Sequence, residues 1–322
     1  MGGLEYSDML DRGYVLCRPD AGLNDILCQI EFKHRYATQS KRTLVVDTAY
    51  VNSLYFKDHF SNYFNTSAPN LILDTKEIAP YFDKMRTFPE EITGRVNSYL
   101  AWPSPEHQNF ADHHTGTRLS FDASHVYEHQ LLVHHSWGGG NLSLFALTKL
   151  NLVDPIVDAL IDRIDTIGEP FSAVHIRNTD YKTDYIQCIQ QIKDSILTPV
   201  FLATDDYECR NYCIDLLGSE NVKYFSDLPE ENIPLHANHT FTDPYKRNVD
   251  AILDLLTLAL STCFYRVGID GTLSGTATGY ATLAENLTRH DGIVLSVLGI
   301  NQKSIALFKK ISEWRKSVPG TA

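Results

Sequence analysis

Four short segments of this sequence carry side chains suited to binding a phosphorylated ligand. The first, Ala173 to Asp184, reads AVHIRNTDYKTD. An apolar strand there ends in His175 and Arg177, two residues apart and so on one face. A polar turn follows, with Asp180 and Asp184. A guanidinium suits a phosphate because its planar fork gives two parallel charge-assisted hydrogen bonds. The plainer alternative is an arginine–aspartate pair that closes the turn. In the second segment, Pro199 to Asp206, a buried strand delivers two adjacent carboxylates, Asp205 and Asp206. Carboxylates at that edge can accept from ribose hydroxyls or a base amine, or one of them can cap the next helix. In the third, Asp250, Asp254, Thr257 and Ser261 form one stripe on an otherwise apolar helical stretch. A helix apolar on most faces is buried, so Asp254 needs a partner or a ligand unless the stripe is solvated. The fourth is a glycine-rich turn, Gly268 to Gly279, that holds Ser274 and Gly275 and precedes a helix. Backbone N–H groups at such a start can hold phosphate, although the spacing matches neither a P-loop nor a dinucleotide fingerprint.

The elements that must position these residues follow an alternating pattern. Tyr14 to Cys17 is a short apolar strand, and the turn Arg18 to Asp25 leads into a helical stretch from about Ile26 to Gln39. Thr43 to Asp47 is a second strand and Asn70 to Asp74 a third. That order opens a doubly wound α/β fold. Residues 86 to 140 read as less regular, with the loop Trp137 to Asn141 and the pairs His113–His114 and His134–His135. Neighbours in a strand point to opposite faces, so neither pair makes a metal site by itself, and polar loops lining a cleft are the expectation. A helix from about Leu152 to Ile167 ends at the break Gly168-Glu-Pro170. Strands are then expected at Ser172–Ile176, Val200–Ala203, Val222–Phe225, Phe264–Val267 and Ile293–Val297, with helices at Asn248–Leu260, Ser274–Asn286 and Ser304–Lys316. The expected organisation is a Rossmann-like domain over 1–150, a second over 151–300, and a final helix in 301–322 returning toward the first domain. Ligands of two such α/β domains bind in a cleft at the carboxyl ends of both sheets.

Length and composition agree with this. The 322 residues suit two domains rather than one. With 43% hydrophobic and 21% charged residues the chain is globular in composition, and a net charge of −12 argues against a general nucleic-acid binder. No apolar run reaches membrane-spanning length, and the first residues lack the apolar core of a secretory leader. Scattered cysteines at 17, 28, 188, 209, 213 and 263 read as buried thiols in a reducing compartment. A cytoplasmic protein with no metal site is expected.

In order and spacing, the segments resemble the fucosyltransferases of the glycosyltransferase-B fold. That group comprises the α1,6-fucosyltransferases of N-glycan cores, the rhizobial nodulation enzyme and the protein O-fucosyltransferases. His175 to Asp180 is similar to their His-x-Arg-Arg-Thr-Asp motif, Phe201 to Asp206 to their second motif, and Ile252 to Asp254 with the following turn to their third. Gly22-Leu-Asn24-Asp and Arg42 to Val46 resemble their amino-terminal glycine-rich turn and next strand. The resemblance implies two Rossmann-like domains facing a cleft and inverting, metal-independent transfer of fucose from GDP-fucose to a glycan hydroxyl, with no further cofactor. It implies Arg177 on the β-phosphate, His175 and Asp254 on the guanine, Asp205 and Asp206 on the nucleoside side, and Ser274 or Gly275 on the phosphates. Gly22 and Asn24 join the donor site by the same resemblance. Two departures stand out. Asn178 replaces the second arginine, for which Lys246, Arg247 or Arg266 could compensate, and Tyr181 stands at the family's lysine. The catalytic glutamate falls near Asp184, the carboxylate left to act as base. Transfer of xylose or rhamnose from another nucleotide sugar, or a binding module without catalysis, stay open as alternatives.

Overall fold

The computed structural model describes residues 12–50, 53–107, 109–230 and 243–318. The chain forms two compact units, 1–150 and 151–322, each built on its own parallel sheet.

In the first unit, β1 (Tyr14–Pro19) is followed by α1 (Leu23–Gln39) and β2 (Thr43–Val46). Then come β3 (Leu71–Ile72), β4 (Thr87–Phe88), the antiparallel hairpin of β5 (Ala101–Ser104) and β6 (Asn109–Asp112), β7 (Leu131–Ser136) and the short α2 (Ser143–Leu147). The sheet order is β3-β2-β1-β7-β4, all parallel. All six residues of β1 and of β7 are buried, as expected for central strands covered on both faces. Strand β7 lies in the stretch that the sequence pattern leaves irregular. Its last three residues, His134, His135 and Ser136, are polar and mask the apolar Leu131-Leu-Val133 that precedes them. Helix α1 buries Ile26, Leu27 and Ile30, each contributing about 2 kcal/mol through removal from water.

The second unit runs α3 (Asp154–Ile167), β8 (Ser172–Ile176), α4 (Tyr185–Ile192), β9 (Val200–Thr204), α5 (Tyr207–Leu217) and β10 (Val222–Lys223). It continues with α6 (Pro244–Leu260), β11 (Cys263–Arg266), α7 (Gly279–Thr288), α8 (Asp291–Leu298) and α9 (Gln302–Ser317). Sheet order is β10-β9-β8-β11, again all parallel. The chain winds from β8 outward through β9 and β10, then crosses back to place β11 on the other side of β8. The strand order therefore reverses at β8, and the loops after β8 and β11 flank a topological switch point, where ligands bind in such sheets.

Two sequence expectations are corrected here. Ile293–Val297 is not a strand but lies within helix α8, whose buried Val294, Val297 and Leu298 fall at helical spacing. Gly299, at φ 77°, then ends that helix in the left-handed region. Helix α7 begins at Gly279 and not at Ser274, because Thr278 caps it by accepting the Ala281 N–H. The last helix is fastened within the second unit. Lys303 pairs with Asp158 and Lys310 with Asp165 on α3, and Arg315 donates to the Ala259 and Ser261 carbonyls at the end of α6.

Candidate functional site

Strand β8 brings His175 and Arg177 to the carboxyl edge of the second sheet. His175 is 8% exposed, and its ring packs on Tyr280 of α7 with centroids 5.3 Å apart. Burial, helped by the Arg177 charge, pushes its pKa down to about 4, so the imidazole is neutral near pH 7. Its Nδ1 is buried without a hydrogen-bond partner. A polar atom left in that condition costs free energy unless a ligand satisfies it.

Arg177 is half-buried and held by Asp180, with Nε donating to Oδ1 at 2.6 Å and Nη2 to Oδ2 at 2.5 Å. The arginine–aspartate pair that closes the turn is therefore present. A guanidinium carries five N–H donors, and this pair uses two of them. The pair orients the group through those two donors. Tyr181 lies beside the guanidinium, 5.7 Å from ring centroid to Cζ.

The turn 177–184 is fastened to the end of β9 by Asn178, the residue standing where the family motif has a second arginine. Its backbone N–H donates to Asp205 Oδ1 at 2.8 Å and its Nδ2 to Asp206 Oδ2 at 2.8 Å. Its Oδ1 accepts from the N–H of Thr183 at 2.9 Å and from the Thr183 hydroxyl at 3.2 Å. Thr179 adds a hydroxyl bond to Asp205 Oδ2 at 2.5 Å. Asp206 is 1% exposed and caps α5 by accepting the Cys209 N–H at 2.9 Å. Its two oxygens serve the cap and Asn178. Asp205, part-buried, stays at the edge of the site.

Asp184 is exposed and caps α4, its Oδ1 accepting the Gln187 N–H at 3.2 Å. The turn after β11 leans on it. A side chain on Gly271, at φ 73°, would place Cβ 3.0 Å from that of Asp184, so glycine is needed there for both backbone conformation and close approach. Cys188 Sγ donates to the Gly271 carbonyl at 3.0 Å. Within the turn, Asp270 accepts from the N–H and hydroxyl of Thr272, and Gly275 lies so close to the Asp270 carboxylate that a Cβ would overlap it. Arg266 donates Nη1 to the Gly275 carbonyl at 2.6 Å and Nε to Glu285 at 2.9 Å. Ser274 is exposed on this fastened loop.

Two of the cations considered for the missing arginine are engaged elsewhere. Arg266 serves the loop, and Lys246 pairs with Asp227 and Asp250. Sequence reasoning missed Lys182, whose Nζ donates to the Asn178 carbonyl at 2.9 Å inside the same turn. Asp254 has found a partner in Arg163 of α3, with Nη1 2.5 Å from Oδ1, and Ser226 donates to its other oxygen at 2.7 Å. Tyr280 links the two regions: its ring meets His175, and its hydroxyl donates to the Ala251 carbonyl on α6 at 2.6 Å.

Gly22 and Asn24 belong to the first unit. Gly22 precedes α1, and a Cβ there would meet nothing within 4 Å. Asn24 is a buried staple, accepting from Ser143 Oγ at 2.7 Å and donating to Asp25 at 3.0 Å. The Gly138–Gly140 loop packs on this helix start, where a Cβ on Gly139 would lie 2.1 Å from Asp25 Oδ1. The histidine pair of β7 is bonded within the first unit, although His134 Nδ1, like that of His175, has no partner among the described residues. His134 Nε2 meets Gln29 at 3.1 Å, and His135 lies between the hydroxyls of Tyr50 and Tyr99 at 3.0 and 3.2 Å. Among the described residues no helix is long and apolar enough to cross a membrane.

No family model matches the chain, and no curated protein matches it in sequence. Solved structures do. The NodZ α1,6-fucosyltransferase soaked with GDP-fucose superposes with a TM-score of 0.54 at 16% identity, over 86% of this chain and 92% of its own. NodZ co-crystallised with GDP gives 0.53 at 17% identity over the same shares, and a selenomethionine form of the enzyme from Bradyrhizobium gives 0.54 at 16%. Two parallel-sheet units with a fastened arginine turn at the second sheet's switch point therefore give this chain the fold of the glycosyltransferase-B fucosyltransferases.

Proposed function

We propose that the protein is a fucosyltransferase that moves fucose from GDP-fucose to a glycan hydroxyl, inverting the anomeric centre without a metal. One juxtaposition carries the reading. At the switch point of the second sheet, and among the described residues, Arg177 keeps donors beyond the two that Asp180 takes, beside a neutral His175 whose Nδ1 lacks a partner. The fold is shared with an enzyme solved with GDP-fucose.

In this reaction the acceptor oxygen attacks the anomeric carbon, and the bond from that carbon to the β-phosphate oxygen breaks. The departing diphosphate takes the electron pair, and Arg177 neutralises it. Asp184 takes the acceptor proton on Oδ2, the oxygen its cap leaves open. His175 and Asp254 contact the guanine, Asp205 the ribose, and Ser274 and Gly275 the phosphates. The first unit binds the acceptor. The six free cysteines suit a cytoplasmic setting.

Thermal shift with GDP, UDP and CDP, followed by turnover of GDP-fucose and of xylosyl and rhamnosyl nucleotides, tests this. GDP is expected to stabilise most and GDP-fucose alone to turn over. Arg177→Ala is expected to stay folded and to lose about 3 kcal/mol of transition-state stabilisation, a factor of roughly 150 in rate. Wild-type turnover by that variant ends the phosphate assignment. Binding of GDP without turnover of any donor would establish the binding-module alternative, in which Asp184 serves as a helix cap and nothing more.

A further inference from the structure

We propose, resting on the guanine contact above, that Arg163 is a positioning residue that sets base specificity by holding Asp254 as an acceptor-only carboxylate. The two residues come from different helices, α3 and α6, and meet away from solvent. The Arg163 side chain is 5% exposed. Its guanidinium lies over the Phe225 ring at 4.7 Å, its Nη1 is 2.5 Å from Asp254 Oδ1, and its Nη2 is 3.6 Å from Asp250. Ring, carboxylate and second carboxylate together fix the plane of the fork.

Asp254 spends one lone pair of Oδ1 on Arg163 and one of Oδ2 on Ser226. An ionised carboxylate has about four such sites, so each oxygen keeps one acceptor position. Two parallel acceptors match guanine, which presents its N1–H and 2-amino group side by side. Adenine places an acceptor beside its amino donor, and uracil flanks its one N–H with carbonyls. Protonation of Asp254 would turn one acceptor into a donor aimed at guanine's own N–H and abolish the match.

Burial pushes the Asp254 carboxyl up, and Arg163 first, then Ser226, pull it down. Other charged or titratable groups face it from each packed element. Asp250 and, beyond it, Lys246 lie on its own helix, Asp227 pairs with Lys246 from the segment after β10, and Tyr280 reaches in from α7 with His175 behind it. Tyr280 is held protonated by burial and His175 neutral at a pKa of about 4. Arg163 also lowers Asp250 from 3.6 Å, but Asp254 is the carboxyl it hydrogen-bonds.

The test is calorimetric titration of the full chain with GDP and with inosine diphosphate, which lacks the 2-amino group, across the neutral pH range. Their affinity ratio cancels titration of the shared phosphates. Wild type is expected to prefer GDP by about tenfold or more, with a flat profile, since a hydrogen bond to a charged group is lost with the amino group. In Arg163→Met the preference is expected to fall toward parity at the acidic end and to recover as pH rises. Arg163→Gln, which keeps the shape and a donor, is expected to do the same should the methionine variant fail to fold. Arg163→Lys is expected to restore the flat profile. Variants that lose stability but keep the wild-type ratio at every pH would show an ion pair that is only structural and overturn the inference alone. A wild type that binds GDP no better than UDP overturns both the inference and the donor assignment.

Discussion

Asn178→Ala tests whether the turn carrying Arg177 depends on its staple to β9. The Asn178 side chain is 7% exposed and makes three hydrogen bonds. The bond to the Asp206 carboxylate contributes about 2 kcal/mol because one partner is charged, and the two from Thr183 about 1 kcal/mol each. Truncation should cost the second unit about 4 kcal/mol, or roughly 10 °C in melting temperature for a unit of this size. Asp206 adds to the loss, since it stays buried with only the cap to satisfy it. Scanning calorimetry gives the stability change, and titration with GDP gives the functional one. Once the staple is gone, Arg177 and Asp184 no longer sit on a fixed turn, and GDP affinity should fall by about tenfold. A stability loss under about 1 kcal/mol would mean that these bonds do not constrain the turn. The full loss with unchanged GDP affinity would refute the link from the staple to Arg177.

Three further outcomes are expected. Asp180→Asn should raise the KM for donor about tenfold by freeing the Arg177 fork, while its half-exposed ion pair contributes no more than about 1 kcal/mol to stability; unchanged donor kinetics would show that Asp180 does not aim the guanidinium. Lys33 is 1% exposed, lies between the Phe32 and Phe121 rings, and is pushed down to about 8 by burial. Its folded pKa lies below the unfolded value, so the unfolded chain binds more protons between the two and stability rises with pH through that window. Lys33→Met should therefore gain about 3 kcal/mol at neutral pH, an advantage that fades as pH climbs toward the unfolded lysine value, and a gain independent of pH in urea denaturation would refute it. His134 and His135 are held well below the ordinary histidine range by burial. Stability of the first unit should then fall by up to about 2.7 kcal/mol per pH unit below about pH 6.5, as the unfolded imidazoles take up two protons; an acid profile unchanged in His135→Phe would remove that residue from the account.

The parts of this structure legible in the sequence are those where one physical demand dominates. A strand buried on both faces must be apolar nearly throughout, and Val15–Cys17, Leu44–Val46 and Val200–Ala203 announce themselves in that way. Where two demands overlap, the pattern misleads. Leu131–Ser136 is as buried as any strand, yet its two histidines bond Gln29, Tyr50 and Tyr99, all distant in sequence. The run from Ile293 to Leu298 is too short and too uniformly apolar for periodicity to separate helix from strand, although Asp291 before it and Gly299 after it mark helix ends. In the site, residue types were readable and their partners were not. An aspartate at a strand end suits a cap as well as a ribose, and the structure shows that Asp206 caps α5 while Asp205 takes the Asn178 N–H and the Thr179 hydroxyl. Arg163 lies 91 positions from Asp254, and no local pattern joins them.

Four carboxylates at this acidic edge are satisfied internally. Asp205 takes an N–H and a hydroxyl, Asp206 a helix start and an amide, Asp270 the Thr272 N–H and hydroxyl, and Glu285 the guanidinium groups of Arg266 and Arg289. Hydrogen bonds of this kind spread the negative charge into the backbone and the sheet edge. Against them stand two cations on one turn. Arg177 keeps part of its fork open beside Asp180, and Lys182 is held by the neutral Asn178 carbonyl, with no carboxylate of the described residues pairing with it. Where the resembled motif has a second arginine, this turn has Asn178, which ties it to the end of β9, and an ammonium stands four residues along at Lys182.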